Sequence, residues 1–378
     1  MTQLSAQTVK SLFIDPSQGN QLTHAQWSQF IFILRECDLL GRFYYLAREH
    51  ECYDLFPNKV KHHLHSAKVK ADRQAKQAIY EAVELGENLT EIDVHPIFLK
   101  GVAYTLRNSS ASKGRVYSDM DVLVAKSQLK EVERRLSIFG WFVKDLDEYD
   151  QKYYRQWAHE IPPMQQHSRG TVADIHHNLL PPISGRAPDI TMFTNHLHST
   201  ETGLFTLSKP AMVLHSIIHL FFNEEFSNGF RDLTDLHLMF SEEDEKSDFW
   251  PELSKLSEQV KFTTELYYAV RYCQLITETQ FPDSFLTLVN QAKLNPVKLA
   301  MADFLFSKVL LPHHPSCMDK YTSIARVMAE IRGHLLKMPL HILIYHSLYK
   351  VFNTVMTSFK KDKITDRNTI QNAINKRG

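Results

Sequence analysis

Apolar residues in the first ninety positions recur at helical spacing, with Trp27, Phe30, Ile31, Leu34, Leu39 and Leu40 in one run and Phe43 to Arg48 continuing it. From Lys59 to Gly86 the chain is rich in Lys, His, Ala, Gln and Glu and has no proline, which predicts one long, largely solvated helix. His62, His63 and His65 fall on that helix and read as part of a charged face rather than as a metal site. The character changes at Asp93. Val94 to Leu99 is a short apolar run ending in Lys100-Gly101, the pattern of a buried strand and a tight turn. Val102 to Asn108 then reads as helix, Tyr117 to Val124 as a second strand, Lys126 to Ile138 as helix, and Trp141 to Lys144 as a short extended piece. Tyr153 to Gln166 and Thr171 to His177 flank the turn-like His167-Ser168-Arg169-Gly170, which predicts a hairpin.

After Leu207 the periodicity is helical again. Pro210 suits the first turn of a helix running through Phe222. Phe262 to Ile276, Pro296 to Leu311 and Tyr321 to Leu335 are further helices, and the tail beyond Lys360 is polar and basic. The segment Leu335 to Phe359 intersperses apolar residues with Lys337 and Lys350, which reads as helix packing in preference to a membrane surface. The expected architecture is α+β: an N-terminal helical region (1–90), a small mixed-sheet core (91–205) and a C-terminal helical domain (206–378).

Composition narrows the class. With 43% hydrophobic and 23% charged residues the chain is an ordinary globular one. Its 43 basic residues balance 43 acidic ones, so no global field favours a long polyanion and no nucleic-acid partner is expected. Cys37, Cys52, Cys273 and Cys317 lie far apart, without a C-x-x-C pair or a disulfide framework. Met1 to Lys10 shows no secretory pattern, and the most apolar stretch, Met338 to Tyr345, is too short to span a bilayer. A cytoplasmic protein without a transmembrane segment is the expectation.

The most informative segment is Arg115-Val-Tyr-Ser-Asp-Met-Asp-Val-Leu-Val124. Side chains alternate along a strand, so Asp119 and Asp121 point the same way while Met120, Val122 and Val124 bury the other face. Two adjacent carboxylates repel unless a cation lies between them, and oxygen-only ligands suit Mg²⁺ or Mn²⁺. Two solvated aspartates at a strand end are the alternative for this dipeptide spacing alone. Upstream, Lys100 and Gly101 open a helix whose free N–H groups face a phosphate, with Lys100 as a point charge. Downstream, Thr171-Val-Ala-Asp-Ile-His-His177 puts Asp174 in a predicted strand, where an adjacent position completes a three-carboxylate site. His176 shares the strand face of Asp174 and supports that site. On these residues, Asp119→Asn and Asp121→Asn are both expected to remove activity and leave the fold intact.

The order Leu99-Lys-Gly-Val-Ala, Arg115-x-x-Ser-Asp-Met-Asp-Val-Leu-Val and Val172-Ala-Asp-Ile-His-His resembles the polymerase-β nucleotidyltransferase superfamily. More narrowly it is similar to the bacterial uncharacterised nucleotidyltransferase family. Leu214-His-Ser-Ile-Ile-His219 and Phe230-Arg-Asp-Leu-Thr-Asp-Leu236 resemble that family's downstream motifs, so the likeness spans about residues 95 to 240. It implies Asp119 and Asp121 as metal ligands, Asp174 as ligand or general base, and Lys100 and Gly101 in the phosphate-side loop. Ser118 would bind a phosphate oxygen, and Arg115 would pair with a phosphate or fix the strand. The implied reaction moves a nucleoside monophosphate from a triphosphate such as ATP to an unidentified acceptor (small molecule, glycan or protein), releasing pyrophosphate with Mg²⁺ or Mn²⁺. The family's association with polysaccharide assembly makes a polysaccharide-related acceptor one possibility.

His215 and His219 share one helix face and read as a buried pair, with a catalytic role as the alternative. Arg231, Asp232 and Asp235 read as an ion-pair network, with acceptor contact as the alternative. Many superfamily members carry Gly-Ser or Gly-Gly where this chain has Gly101-Val102, which removes a phosphate-contacting hydroxyl. That departure motivates the second reading, a catalytically weak or inactive nucleotide-binding module.

Overall fold

Local signals set the first helices. Helix α1 (Ala6–Ile14) is capped by Ser5, whose hydroxyl accepts from the Thr8 N–H. Helix α2 (His24–Glu36) begins at a reciprocal capping box between Thr23 and Gln26. Helix α3 (Leu40–Glu49) follows, and then α4 (Asn58–Thr90), the predicted long helix, on which His62, His63 and His65 are exposed. At about 1.5 Å per residue, α4 is roughly 50 Å long. The computed structural model describes residues 4–143, 146–292 and 294–350. The polar tail past Lys360 and the last part of the 335–359 segment lie outside the described residues.

The mixed sheet comes next in sequence. It contains β1 (Ile97–Phe98), β2 (Met120–Leu123), β3 (Trp141–Val143), β4 (Met164–Gln166), β5 (Val172–His176), β6 (Leu197–Ser199) and β7 (Phe205–Leu207). Their order across the sheet is β3-β4-β5-β2-β1-β7-β6, with β2/β5 and β1/β7 parallel and the other pairs antiparallel. Helix α5 (Lys100–Leu106) follows β1, α6 (Leu129–Ile138) follows β2, and α7 (Glu148–Gln156) follows β3. The predicted strand from Tyr117 is shorter than expected and starts at Met120. The predicted hairpin is real only between β4 and β5. Tyr153 to Gln156 belong to α7, because the Asp147 carboxylate caps that helix through the Asp150 N–H at 2.7 Å.

Among the described residues the remaining elements are helical: α8 (Thr191–Thr194), α9 (Lys209–Phe222), α10 (Gly229–Ser241), α11 (Phe249–Gln259) and α12 (Thr263–Thr277). They continue with α13 (Asp283–Val289), α14 (Pro296–Val309) and α15 (Thr322–Lys337), and residues 340–350 are also helical. Pro210 and Pro296 sit in first turns, where a missing N–H costs nothing. Among the described residues, no helix is long and apolar enough to cross a membrane. The fold is α+β with helical flanks.

Among the described residues, two hydrophobic clusters hold it together. One face of the sheet (Phe98, Met120, Val122, Ala173, Ile175) packs with Ala82, Leu85 and Leu89 of α4 and with α6. The other face (Ile97, Leu99, Leu123) joins a larger cluster that draws on α1–α3 and on α9–α15. Val60 and Leu64, near the start of α4, belong to the larger cluster, so this one helix ties both together.

Candidate active site

Register places the chemistry. In the parallel β2/β5 pair Asp121 lies opposite Asp174, and Leu123 opposite His176. Because successive side chains alternate, Met120 and Val122 enter the α4-side core while Asp121 turns to the opposite face. Asp174 and His176 share that face by the same rule, and α9 brings His215 and His219 to it, where Lys100 and Asp121 act on both.

Asp121 is the centre of a buried network. Its Oδ1 accepts from Lys100 Nζ at 2.7 Å and from His176 Nε2 at 3.0 Å. Burial alone would raise the Asp121 carboxyl, but the Lys100 ammonium and His176 outweigh it and hold it well below the usual range. Burial likewise opposes charge on Lys100 and His176. Asp121 nevertheless keeps both above their ordinary values, with Glu160 adding to the effect on His176. Glu160 Oε2 lies 3.4 Å from His176 Nδ1.

Asp174 is the opposite case. Burial, followed by the carboxylates of Glu160, Asp121 and Asp119, pushes its carboxyl up to about 7. Its Oδ1 is buried with no hydrogen-bond partner, so the fold leaves a buried carboxylate oxygen uncompensated beside other carboxylates. Burial lowers His215 to about 3 and takes His219 well below its ordinary value, so both are neutral near pH 7.

Asp119 stands exposed one residue before β2, accepting from its neighbour Ser118 Oγ at 3.0 Å. It lines a cleft of about 160 Å³ together with Lys100, Gly101, Ser118, Asp121 and His219. Lys100 takes a left-handed backbone (φ +46°), a strained state for a non-glycine residue, as the chain turns from β1 into α5. Gly101 needs to be small: a Cβ there would stand 2.8 Å from the Arg115 guanidinium. Val102 is buried in the α4-side core and does not line this cleft. A second cleft of about 200 Å³ lies on the other side of Ser118 and Asp119, walled by Gln74, Gln77, Glu81, Arg169 and Thr171.

Arg115 lines the first cleft, but its guanidinium is committed to protein carboxylates. Nε donates to Asp235 Oδ2 at 3.1 Å, and Asp232 lies 4.0 Å away. Asp235 also pairs with the buried Arg42 at 2.6 Å, and Arg231 Nε donates to Asp232 at 3.0 Å. The geometry of Arg231, Asp232 and Asp235 is an ion-pair network, joined by Arg115 and Arg42.

Glu160, His159 and Arg42 were not singled out by the sequence. Glu160 and His159 precede Ile161-Pro162-Pro163 inside a stretch read as strand, and only the pairing of that stretch with β5 reveals them. Asp121→Asn also differs from its expectation. The change removes the charge that compensates Lys100 and His176, so it leaves both cations without their carboxylate, whereas Asp119 is exposed.

No curated protein and no solved structure matches the chain. The family model described as Uncharacterised nucleotidyltransferase matches residues 23–278. That span opens at Thr23, the cap of α2, encloses the whole sheet and both clefts, and closes at Glu278, the cap of α12. The chain therefore belongs to the uncharacterised nucleotidyltransferase family, a protein of the class that transfers nucleotidyl groups.

Proposed function

We propose that this protein is a Mg²⁺-dependent cytoplasmic nucleotidyltransferase that moves a nucleoside monophosphate from a nucleoside triphosphate to an acceptor and releases pyrophosphate. The observation that carries this reading is the β2/β5 register. It sets Asp121 beside Asp174 and leaves one Asp174 oxygen buried without a partner, while Asp119 and Asp121 line one cleft. An all-carboxylate donor set of this kind fits a hard divalent cation, with Mn²⁺ as a substitute. Asp119, Asp121 and Asp174 would hold it, and when bound it supplies neutralisation of phosphate charge.

The chain's own groups do the rest. Lys100 spends one N–H on Asp121, and the two others remain to meet triphosphate oxygens in the cleft that Gly101 also lines. Ser118 orients Asp119 through its hydroxyl. Neutral His219 bounds the cleft on the α9 side without adding charge. In the reaction the acceptor oxygen bonds to the α-phosphorus, the bond to the β-phosphate oxygen breaks, and the acceptor proton leaves to a base. The second cleft, sharing Ser118 and Asp119 with the first, is where we place the acceptor. Its lining of amides, a hydroxyl and an ion pair between buried Glu81 and exposed Arg169 suits a polar, hydroxyl-bearing molecule such as a sugar.

The test incubates the protein with each of the four α-labelled nucleoside triphosphates, Mg²⁺ and a cell extract as acceptor source. Wild type is expected to yield labelled product and pyrophosphate, and Asp119→Asn neither. Equal transfer by both proteins would remove Asp119 from the site. Failure of wild type to bind any triphosphate with Mg²⁺ present would overturn the proposal.

A further inference from the structure

We propose that His159, Glu160 and His176 form a second metal site, of the two-histidine-one-carboxylate type suited to Zn²⁺, abutting the carboxylate centre and distinct from it. The backbone builds the cluster. Residues 159–161 run antiparallel to the end of β5, with Glu160 bridged to His176, Ile161 N donating to Ile175 O at 3.0 Å and His177 N to His159 O at 2.8 Å. One ligand atom from each of the three side chains lies within 4.8 Å of the others.

Three features distinguish this cluster from an ordinary hydrogen-bonded group. A tetrahedral zinc with ligands at roughly 2.1 Å separates neighbouring ligand atoms by roughly 3.4 Å. Glu160 Oε2 and His176 Nδ1 are 3.4 Å apart, the edge of such a tetrahedron and long for a good N–H···O bond. His176 turns its other nitrogen to Asp121 Oδ1 at 3.0 Å. Histidines that ligate a metal through one ring nitrogen usually donate the other N–H to a carboxylate in this way, which fixes the ring and its tautomer. His159 has a buried Nδ1 with no hydrogen-bond partner.

Two imidazoles and one carboxylate select a borderline metal over Mg²⁺, which takes oxygen donors. The three side chains leave a fourth position open to water or a substrate oxygen. The consequence for the neighbouring centre is positional: a metal on His176 Nδ1 locks the ring that holds Asp121. His159 and Glu160 are thus positioning residues for Asp121, acting through His176.

The experiment reads metal content, so it is independent of whether nucleotidyl transfer is found. Full-length protein is stripped with EDTA, dialysed, and titrated with Zn²⁺ against a chromophoric chelator. Parallel samples are loaded with Co²⁺ and their visible spectra recorded. Wild type is expected to take up about one equivalent of Zn²⁺ and to show the intense bands of four-coordinate Co²⁺. His159→Ala and the near-isosteric Glu160→Gln, with melting curves confirming their fold, should bind at least about tenfold more weakly. Asp119→Asn should bind as wild type does. Uptake by wild type well below one equivalent, or undiminished affinity in folded Glu160→Gln, would overturn the site.

Discussion

At the scale of single residues, Asp174 and Asp121 are opposites set by their neighbours. Asp174 titrates at about 7 in the folded chain and near 3.8 as an ordinary aspartate, because burial and three carboxylates disfavour its charge. Between those values the metal-free folded chain keeps a proton that the unfolded chain has lost, so this group's contribution to stability falls as pH rises through the window. Asp174→Asn keeps the shape and cannot ionise. In EDTA, its melting temperature should therefore gain on wild type between about pH 5 and pH 7, by a few degrees in all, and the gap should level off above that. A constant gap across that range would show that the carboxyl titrates normally. Asp121 behaves the other way: Lys100 and His176 overcome its burial and keep it ionised. Asp121→Asn should cost about 1–3 kcal/mol in urea unfolding, while Asp119→Asn stays within about 0.5 kcal/mol. Equal effects of the two variants would contradict the difference in their partners.

At the scale of elements, a polar clasp joins three parts of the chain. Arg42 of α3 is buried and reaches Asp235 of α10 at 2.6 Å, Thr234 Oγ1 at 2.8 Å and the Ala111 carbonyl at 2.5 Å. Arg115, in the loop before β2, reaches the same Asp235. The close approach depends on glycine. Gly114 has φ +69°, and a Cβ on it would stand 2.3 Å from the Gly41 backbone. Asp235→Ala leaves two arginines without their shared carboxylate and should destabilise the protein by about 3–5 kcal/mol, measured as the shift in urea midpoint. A loss below about 1 kcal/mol would mean that water already reaches the clasp. Much of this scale was legible in the sequence. Periodicity, with Pro210 as a first-turn signal for α9, marked α4, α9, α12, α14 and α15 within a few residues, and the alternation around Asp121 gave the buried face of β2. Strand order was not legible, because a run of three apolar residues does not encode its neighbour. For the same reason the pairing of 159–161 with β5, and with it Glu160, went unseen. Arg231-Asp-Leu-Thr-Asp235 stood out as a motif, yet its partner Arg42 lies 193 positions before Asp235 by their numbering and gives no local signal.

At the scale of the whole molecule, helices from both ends of the chain share one hydrophobic cluster, and α4 carries the backbone from that cluster to the far face of the sheet. We propose residues 91–205 as the catalytic unit, held between α1–α4 on one side of it in sequence and α9–α15 on the other, whose buried residues share the larger cluster. This arrangement divides access to Asp119. The first cleft opens between the sheet and α9–α10, and the second between α4 and the turn joining β4 to β5. A donor in one and an acceptor in the other would meet at Ser118 and Asp119, which belong to both. Gln77 decides the matter experimentally. It is exposed on α4, its Nε2 lies 3.4 Å from Thr171 Oγ1 across the second cleft, and it does not line the first. Gln77→Trp would fill part of that space of about 200 Å³ without disturbing the core. If the two clefts serve two substrates, Mg²⁺-dependent triphosphate affinity should stay within about twofold of wild type while transfer to an extract acceptor falls by about tenfold or more. Loss of triphosphate binding would put the nucleotide itself in the second cleft. Unchanged transfer would mean that the acceptor reaches Asp119 from the α9 side, past His219.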